Sequence, residues 1–378
     1  MEPDWSLWVH DSVTGEPIER VDWAEGSDGP FSASIAGDGQ SSILVYASSL
    51  LNPDAAPGQE NGRIASLFAP NLRFLVRWWG VNGGAHPLDD PLVAHKIESW
   101  DYDDDKGTVA VTAVDLIGEA AWRLVGGVAA EKDVTLTISG RSAAGAVRQT
   151  LARMMQWGPE WVYPIDLPAD GPGDFSGTYP FWKGFSIEEI LDEIRKSEGV
   201  EIYLRPYATQ SGGIRFQTRV GAPVTIGGAK FYLGAAETPI SGVKYRIDGS
   251  RQVTGVRGIG NGTGEDQKTA WAGGGPFAIP IRDTKKSFDD MEGDALHRAV
   301  SQSFATGRQP IAQWDIGSFV IGADYPPELS APGRVFNIEV HGNPVIPDGV
   351  HTLRVMAVSG GNGRQMKPEV QYAGSQPE

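Results

Sequence analysis

The sequence predicts a mainly β fold with an α+β middle part, and three observations predict it. Forty-nine Gly and 26 Pro in 378 residues break the chain into short runs, the texture of many strands joined by turns. Alternating apolar runs dominate residues 1–128 and 237–378. Helical periodicity of 3.6 residues gathers instead in residues 129–236. The chain therefore divides into a first β-rich part (1–128), an α+β middle part (129–236) that holds the main helices, and a second β-rich part (237–378).

In the first part, strands at 7–13 and 18–23 flank the turn Thr14-Gly15-Glu16-Pro17, and 31–35 pairs with 43–46 across Gly37-Asp38-Gly39. Residues 52–63 and 82–91 are loops rich in Pro, Gly and Asn, expected to protrude, with a strong strand at 72–79 between them. Its neighbours Trp78 and Trp79 point to opposite faces, which leaves at most one in the core and the outward ring in need of a partner. A hairpin at 95–102 and 108–114 turns around Asp103-Asp104-Asp105-Lys106-Gly107. Residues 116–124 read as a short helix ended by Gly126-Gly127.

The middle part opens with a helix at 142–157, stopped by Gly158-Pro159, and a loop rich in Pro, Gly and Asp at 164–180. The segment 185–220 is the most fully punctuated in the chain. Ser186 is an N-cap with Glu189 three residues on, a capping box that satisfies two backbone donors. Phe185 and Ile190 form a hydrophobic staple, and Ile187, Ile190, Leu191 and Ile194 line one helical face, predicted to be buried on the middle part's own sheet. Acids lead this helix, Arg195 and Lys196 close it, and Gly199 stops it. Strands at 201–207 and 214–220 follow around Ser211-Gly212-Gly213. The last part adds a helix at 287–304, with Met291, Leu296, Ala299, Val300 and Phe304 partly periodic, and strands at 335–340 and 350–358.

Composition removes several functions. The chain has no cysteine, so disulfides, thiolate nucleophiles and Cys-ligated metals are excluded. Its start, MEPDWSLWVH, lacks the basic and apolar regions of a signal peptide, no apolar run approaches a membrane span, and no membrane insertion is expected. With 48 acids against 32 bases the formal charge is −16. That disfavours gripping a nucleic-acid backbone, which needs clustered Lys and Arg, but suits a channel through which DNA slides without adhering.

Each candidate for chemistry has a plainer explanation. The run GIGNGTG at 258–264 lacks both the helix start of a dinucleotide fingerprint and the Gly-Lys-Ser/Thr of a P-loop, and reads as an inter-strand loop. Asp101, Asp103 and Asp105 alternate like calcium ligands, but Gly107 comes one residue late and Thr112 stands where the closing acid belongs, so a solvated turn is expected. His10, His86, His95, His297, His341 and His351 form no zinc motif, and no Ser sits in a Gly-x-Ser-x-Gly elbow. Glu188-Glu189 and Asp289-Asp290 occupy first helical turns, where acids complement the dipole. No catalytic, cofactor-binding or metal-binding residue is assigned. The 12 tryptophans favour a protein interface over a glycan platform.

The order of these features resembles the tail hub, or minor tail, proteins of long-tailed phages of actinobacteria, relatives of the baseplate hub. Five segments carry the likeness: Trp100-Asp101-Tyr102, then 107–114 leading into Asp115-Leu116; the capped helix with 198–206; 214–220 closing on Gly221; 253–264; and Pro347-Asp348-Gly349 before the strand at 350–358. It extends from about residue 31 to the end. The resemblance implies a baseplate-hub-like fold, in which two β-barrel-like tube domains flank a helix-containing domain. It implies a structural, non-enzymatic virion protein at the distal end of the tail. A homotrimeric ring would contact the distal tail protein, the tape measure protein and a tip fibre or spike, with genomic DNA only in transit. The relatives that carry lysins append a peptidase or muramidase block, and this chain ends at Glu378. A hexameric distal tail adapter and a carbohydrate-binding adhesin remain as alternatives.

Overall fold

In a computed structural model, residues 2–52, 54, 58–60, 62–81, 90–127, 132–156, 158, 162–276, 279–288 and 291–373 are described. The chain forms two compact units, residues 2–243 with 316–373, and residues 244–315.

The first unit is built on a 13-stranded sheet. From the early chain come β1 (Asp4–Asp11), β2 (Pro17–Val21), β3 (Phe31–Ser34), β4 (Gln40–Tyr46), β5 (Arg73–Gly80), β6 (Val93–Asp103) and β7 (Thr108–Val114), with short helices α1 (Ala47–Leu50) and α2 (Arg63–Leu67). The middle of the chain gives β8 (Leu136–Arg141), α3 (Ala143–Met154), β9 (Ile165–Asp166), β10 (Phe175–Tyr179), α4 (Ile187–Glu198), β11 (Glu201–Ala208) and β12 (Ile214–Gly221), arranged as small sheets β10-β8 and β11-β12-β9. Then come β13 (Gly228–Tyr232) and β14 (Ile240–Ser241). The second unit contains β15 (Lys244–Asp248), β16 (Gly255–Ile259), β17 (Thr269–Gly273), β18 (Asp283–Ser287), α5 (Gly293–Gly307) and β19 (Ile311–Asp315), and the first unit resumes with β20 (Ser318–Val320), β21 (Val335–Val340), β22 (Gly349–Gly360) and β23 (Gln365–Tyr372).

The large sheet runs β14-β20-β23-β22-β3-β4-β7-β6-β5-β1-β2, with β21 on β22 and β13 parallel to β21. Strand β22 changes partner along its length. Residues 349–354 pair with β21, residues 357–360 pair with β3, and a register irregularity between Val355 and Ala357 marks the changeover. A bulge bends a strand and increases its twist, which lets one strand serve two neighbours.

The early hairpins form as expected, β1 with β2 and β6 with β7. Strand β3 meets β4 at a single pair, Phe31 with Ser41, and finds its fuller ladder on β22. The segment after β7 is a 3-10 helix, Leu116–Trp122, rather than an α-helix. Helix α5 begins at Gly293, not at Ser287, which closes β18; no side chain caps its start. Of the expected loops, 82–91 lies largely outside the described residues, while the described part of 52–63 is free of strands and leads into α2 at Arg63.

Strand β5 is covered on both faces. Phe74, Val76 and Trp78 join a core with α3, α4, β11 and β12, while Leu75 joins another with β1, β4, β6, β7 and both short helices. Trp78 and Trp79 are 0 and 9 % exposed, so the expectation of one outward ring fails. The second ring is spent inside the fold: Trp79 packs edge-on against Trp5 at 5.1 Å, and Trp5 against Phe31 at 5.6 Å. A strand sandwiched between two cores buries its whole run, as in a fully covered sheet.

The cap, charge and stop signals around α4 hold. Ser186 Oγ accepts the Glu189 N–H at 3.1 Å, Glu189 Oε2 accepts the Ser186 N–H at 2.8 Å, and Gly199 is left-handed with φ 64°. Ile187, Ile190, Leu191 and Ile194 are all at most 1 % exposed, and such burial contributes roughly 1.5–3 kcal/mol per side chain. The helix packs on α3 and the 3-10 helix as well as on β10 and β11. Ser142 caps α3 by accepting the Gly145 N–H at 3.1 Å.

Candidate functional site

Among the described residues no group of three His, Asp or Glu is placed to hold a metal, and no helix is long and apolar enough to cross a membrane. The Asp103–Gly107 turn is exposed: Lys106 Nζ donates to Asp103 Oδ2 at 2.7 Å, and Tyr102 OH to Asp104 Oδ1 at 3.1 Å. Gly258 lies within β16, and the loop proper begins at Gly260 and joins β16 to β17. Its glycines have a packing role. A Cβ on Gly258 would stand 2.1 Å from Val300 Cγ2, so α5 sits directly on this strand. Glu189 serves the capping box, and Asp289-Asp290 and His86 lie outside the described residues.

The fold does assemble one constellation that no contiguous motif reveals. His95 on β6 places Nδ1 2.8 Å from Ser41 Oγ on β4, and Nε2 3.5 Å from Asp115 Oδ1 just after β7. Asp115 Oδ2 accepts the Gly39 N–H at 2.7 Å. The carboxylate favours the Nε2–H tautomer, which leaves Nδ1 to accept the Ser41 hydroxyl proton. This is the composition of a nucleophile triad but not its function. Ser41 and His95 are 2 and 1 % exposed, so no substrate carbonyl reaches Oγ. Burial, followed by the nearby Arg77 charge, lowers the His95 pKa to about 3 and keeps the ring neutral. Burial raises that of Asp115 to about 6, against the Gly39 hydrogen bond, and Asp38 adds to the rise. The group is a buried polar knot tying β4, β6 and the end of β7.

Three further knots join distant segments. Arg354 on β22 donates from its second guanidinium nitrogen to Glu201 Oε1 on β11 at 2.6 Å and from the first to Glu201 Oε2 and to Val224 O. Burial of Glu201 opposes its charge, yet Arg354 and the Val224 N–H outweigh that and hold its pKa below the ordinary 4.5. Lys96 reaches Glu119 and Asn71. Arg77, fully buried, donates to Gly29 O at 2.5 Å and Asn362 Oδ1 at 2.9 Å, and lies 4.8 Å from the Phe31 ring. Burial pulls its pKa down to about 10, which leaves it charged at neutral pH. Paired, hydrogen-bonded burial is what makes such charges tolerable.

Among the described residues three tryptophans remain exposed: Trp122 (81 %), Trp182 (71 %) and Trp271 (52 %). Trp271 stands beside Arg257, itself beside Lys285, in one row across β17, β16 and β18. Sequence reasoning favoured the Trp78-Trp79 pair and passed over these. The signal available was context, since Trp122 and Trp182 sit in short turn segments and Trp271 in a three-stranded sheet.

No family model matches the chain, and no curated protein matches it. Solved structures do. A prophage MuSo2 43 kDa tail protein from Shewanella oneidensis is 12% identical with a TM-score of 0.56, covering 98% of each chain. A tail protein from Neisseria meningitidis MC58 is 13% identical with a TM-score of 0.52, covering 98% of this chain and 97% of that one. A Francisella PdpA-VgrG complex is 8% identical with a TM-score of 0.53, covering all of this chain and 59% of that one. The chain is thus mainly β with few helices and has the fold of phage tail and baseplate-hub-like proteins.

Proposed function

We propose that this chain is a structural component of the tail tip of a long-tailed actinobacterial phage. It acts as a hub ring, a homotrimer, that joins the tail tube and distal tail protein to a tip fibre or spike and forms the DNA-ejection conduit. The observation that carries the reading is the end-to-end agreement in fold with a prophage tail protein, 98% of each chain. A shared fold does not by itself assign a function. The buried Ser41–His95–Asp115 group and the sequence order of the resemblance support a role without catalysis. In this reading residues 1–128 and 237–378 serve as the tube-like parts and 129–236 as the part between them, and the tape measure protein ends inside the ring. The acidic balance supports a lumen that DNA crosses without adhering.

Imaging intact tails tests it. Threefold density for this chain at the distal end is expected, sixfold density would mark a distal tail adapter instead, and absence from the particle would end the proposal. The exposed Trp122, Trp182 and Trp271 support a second reading, a glycan-binding adhesin. Cell-wall binding that vanishes on Trp271→Ala would favour it.

A further inference from the structure

Residues 244–315 differ electrostatically from the rest of the chain. They hold ten Lys and Arg against nine Asp and Glu, so the whole of the −16 resides elsewhere. Within this unit α5 covers one face of the β17-β16-β18 sheet, and two cavities of about 500 and 490 Å³ lie along the seam between β18 and the C-terminal half of α5. They share Arg251, Lys286, Ser303 and Gly307.

The two lobes differ in chemistry. One is lined by Phe288, Met291, Ala299 and Ile311. The other is polar and includes Arg282, whose guanidinium is fixed by the carbonyls of Gly249 and Ser250 at 3.2 and 2.9 Å. Its one carboxylate, Asp283, is engaged by the Thr254 hydroxyl at 3.1 Å. At the junction, Arg251 and Lys286 make no ion pair or side-chain hydrogen bond among the described residues. Asp248, which feels the Arg251 charge, is held by Arg246 at 2.9 Å. Ser303 Oγ is buried there without a hydrogen-bond partner among the described residues. Unsatisfied buried hydroxyls are uncommon in folded proteins.

Cations near a helix C-terminus complement its dipole, but that accounts for only part of this arrangement. The Gly307 carbonyl already accepts the Val253 N–H at 2.8 Å, and the Arg308 carbonyl accepts Gln252 Nε2 at 3.1 Å. The dipole also leaves Ser303 unexplained. An anion bearing several acceptor oxygens would satisfy both cations and the hydroxyl at once, and the apolar lobe offers room for the carbon body that carries it.

We propose that this cavity pair binds an organic phosphate, with the phosphate at Arg251, Lys286 and Ser303 and a small polyol or sugar body against Phe288, Met291 and Ile311. The proposal does not depend on the tail reading. Calorimetric titration of the full chain with glycerol 3-phosphate, glucose 6-phosphate, a glycerol-phosphate oligomer, inorganic phosphate, glucose and an acidic peptide tests it.

Saturable binding of an organic phosphate, weaker for inorganic phosphate, undetectable for glucose and diminished by salt, is the expected result. Tighter binding of the oligomer than of the monoesters would identify a chain-linked phosphodiester as the source, and the reverse a free monoester. Arg251→Gln and Lys286→Gln should each weaken binding roughly tenfold, and Ser303→Ala less, with circular dichroism unchanged; Lys286→Arg should retain most of it. Affinity unaltered in the Arg251→Gln/Lys286→Gln double variant, preference for the acidic peptide, or equal affinity for inorganic phosphate would overturn the proposal.

Discussion

At the scale of single residues, the Arg354–Glu201 pair is the most exacting contact, because it ties β22 to β11 across 153 positions of sequence. Removing one partner strands the other, so Arg354→Met should cost about 3 kcal/mol in urea unfolding. Glu201, with its pKa held low, contributes stability above its ordinary 4.5 that is lost as pH falls through its lowered value. Glu201→Gln should remove that loss. His95 works in the same direction by another route. Its ring ionises near 6.5 when unfolded and near 3 when folded, so the unfolded state binds the proton between those values and wild type loses stability as pH falls through them. Relative to His95→Gln, wild-type unfolding free energy should fall by about 1.4 kcal/mol per pH unit inside that window. Asp115, raised from 3.8 to about 6, has the opposite sign: its share is present below 3.8 and lost as pH rises through 6. Parallel curves for wild type and His95→Gln would show that the ring is not buried neutral. None of these contacts was legible in the sequence, because Ser41, His95 and Asp115 stand 54 and 20 positions apart and meet only through β4, β6 and β7.

At the scale of elements, legibility followed how local the determining forces are. Helix α4 was readable to the residue because cap, charges and stop all lie within its own turns. Ser186→Ala should cost about 1 kcal/mol, and Ile190→Ala about 2–5 kcal/mol, both read from urea midpoints; equal midpoints would deny the cap and the buried face their part. Helix α5 was misplaced for the complementary reason. Its start has no side-chain cap, and Ser287, where the helix was expected to begin, pairs in parallel with Ile259. The strand assignment of Trp78 and Trp79 was right and their fate was not, since alternation says that two faces differ but not what covers each. The glycine run at 258–264 was read as an inter-strand loop, and its first member, Gly258, lies instead in β16, where its use is the neighbour it admits. Gly258→Ala should destabilise residues 244–315 by about 1–3 kcal/mol through overpacking against Val300, and faster amide exchange confined to α5 and β16 would register it.

At the scale of the whole molecule, the predominance of strands and the helices of the middle part were legible from composition and periodicity. The joining of strands near both ends of the chain into one sheet was not, since no local pattern announces that residues 357–360 lie beside residues 31–34. Assembly belongs to this scale too. If the chain forms the proposed ring, its mass in solution should rise with concentration toward three copies, and replacing exposed Trp122 and Trp182 by Ser should weaken association while leaving the unfolding midpoint within about 0.5 kcal/mol. A monomer at all concentrations, with the tryptophans inert, would count against the ring.

The partner change along β22 also sets a timetable. During synthesis the first seven strands leave the ribosome while β3, attached to β4 by one pair, still lacks its principal neighbour, which is made more than 300 residues later. Pairings so distant in sequence form slowly, and an edge left open meanwhile can recruit the wrong strand. The nascent protein is therefore most vulnerable to aggregation during the interval in which residues 31–34 are exposed and residues 357–360 have yet to be made.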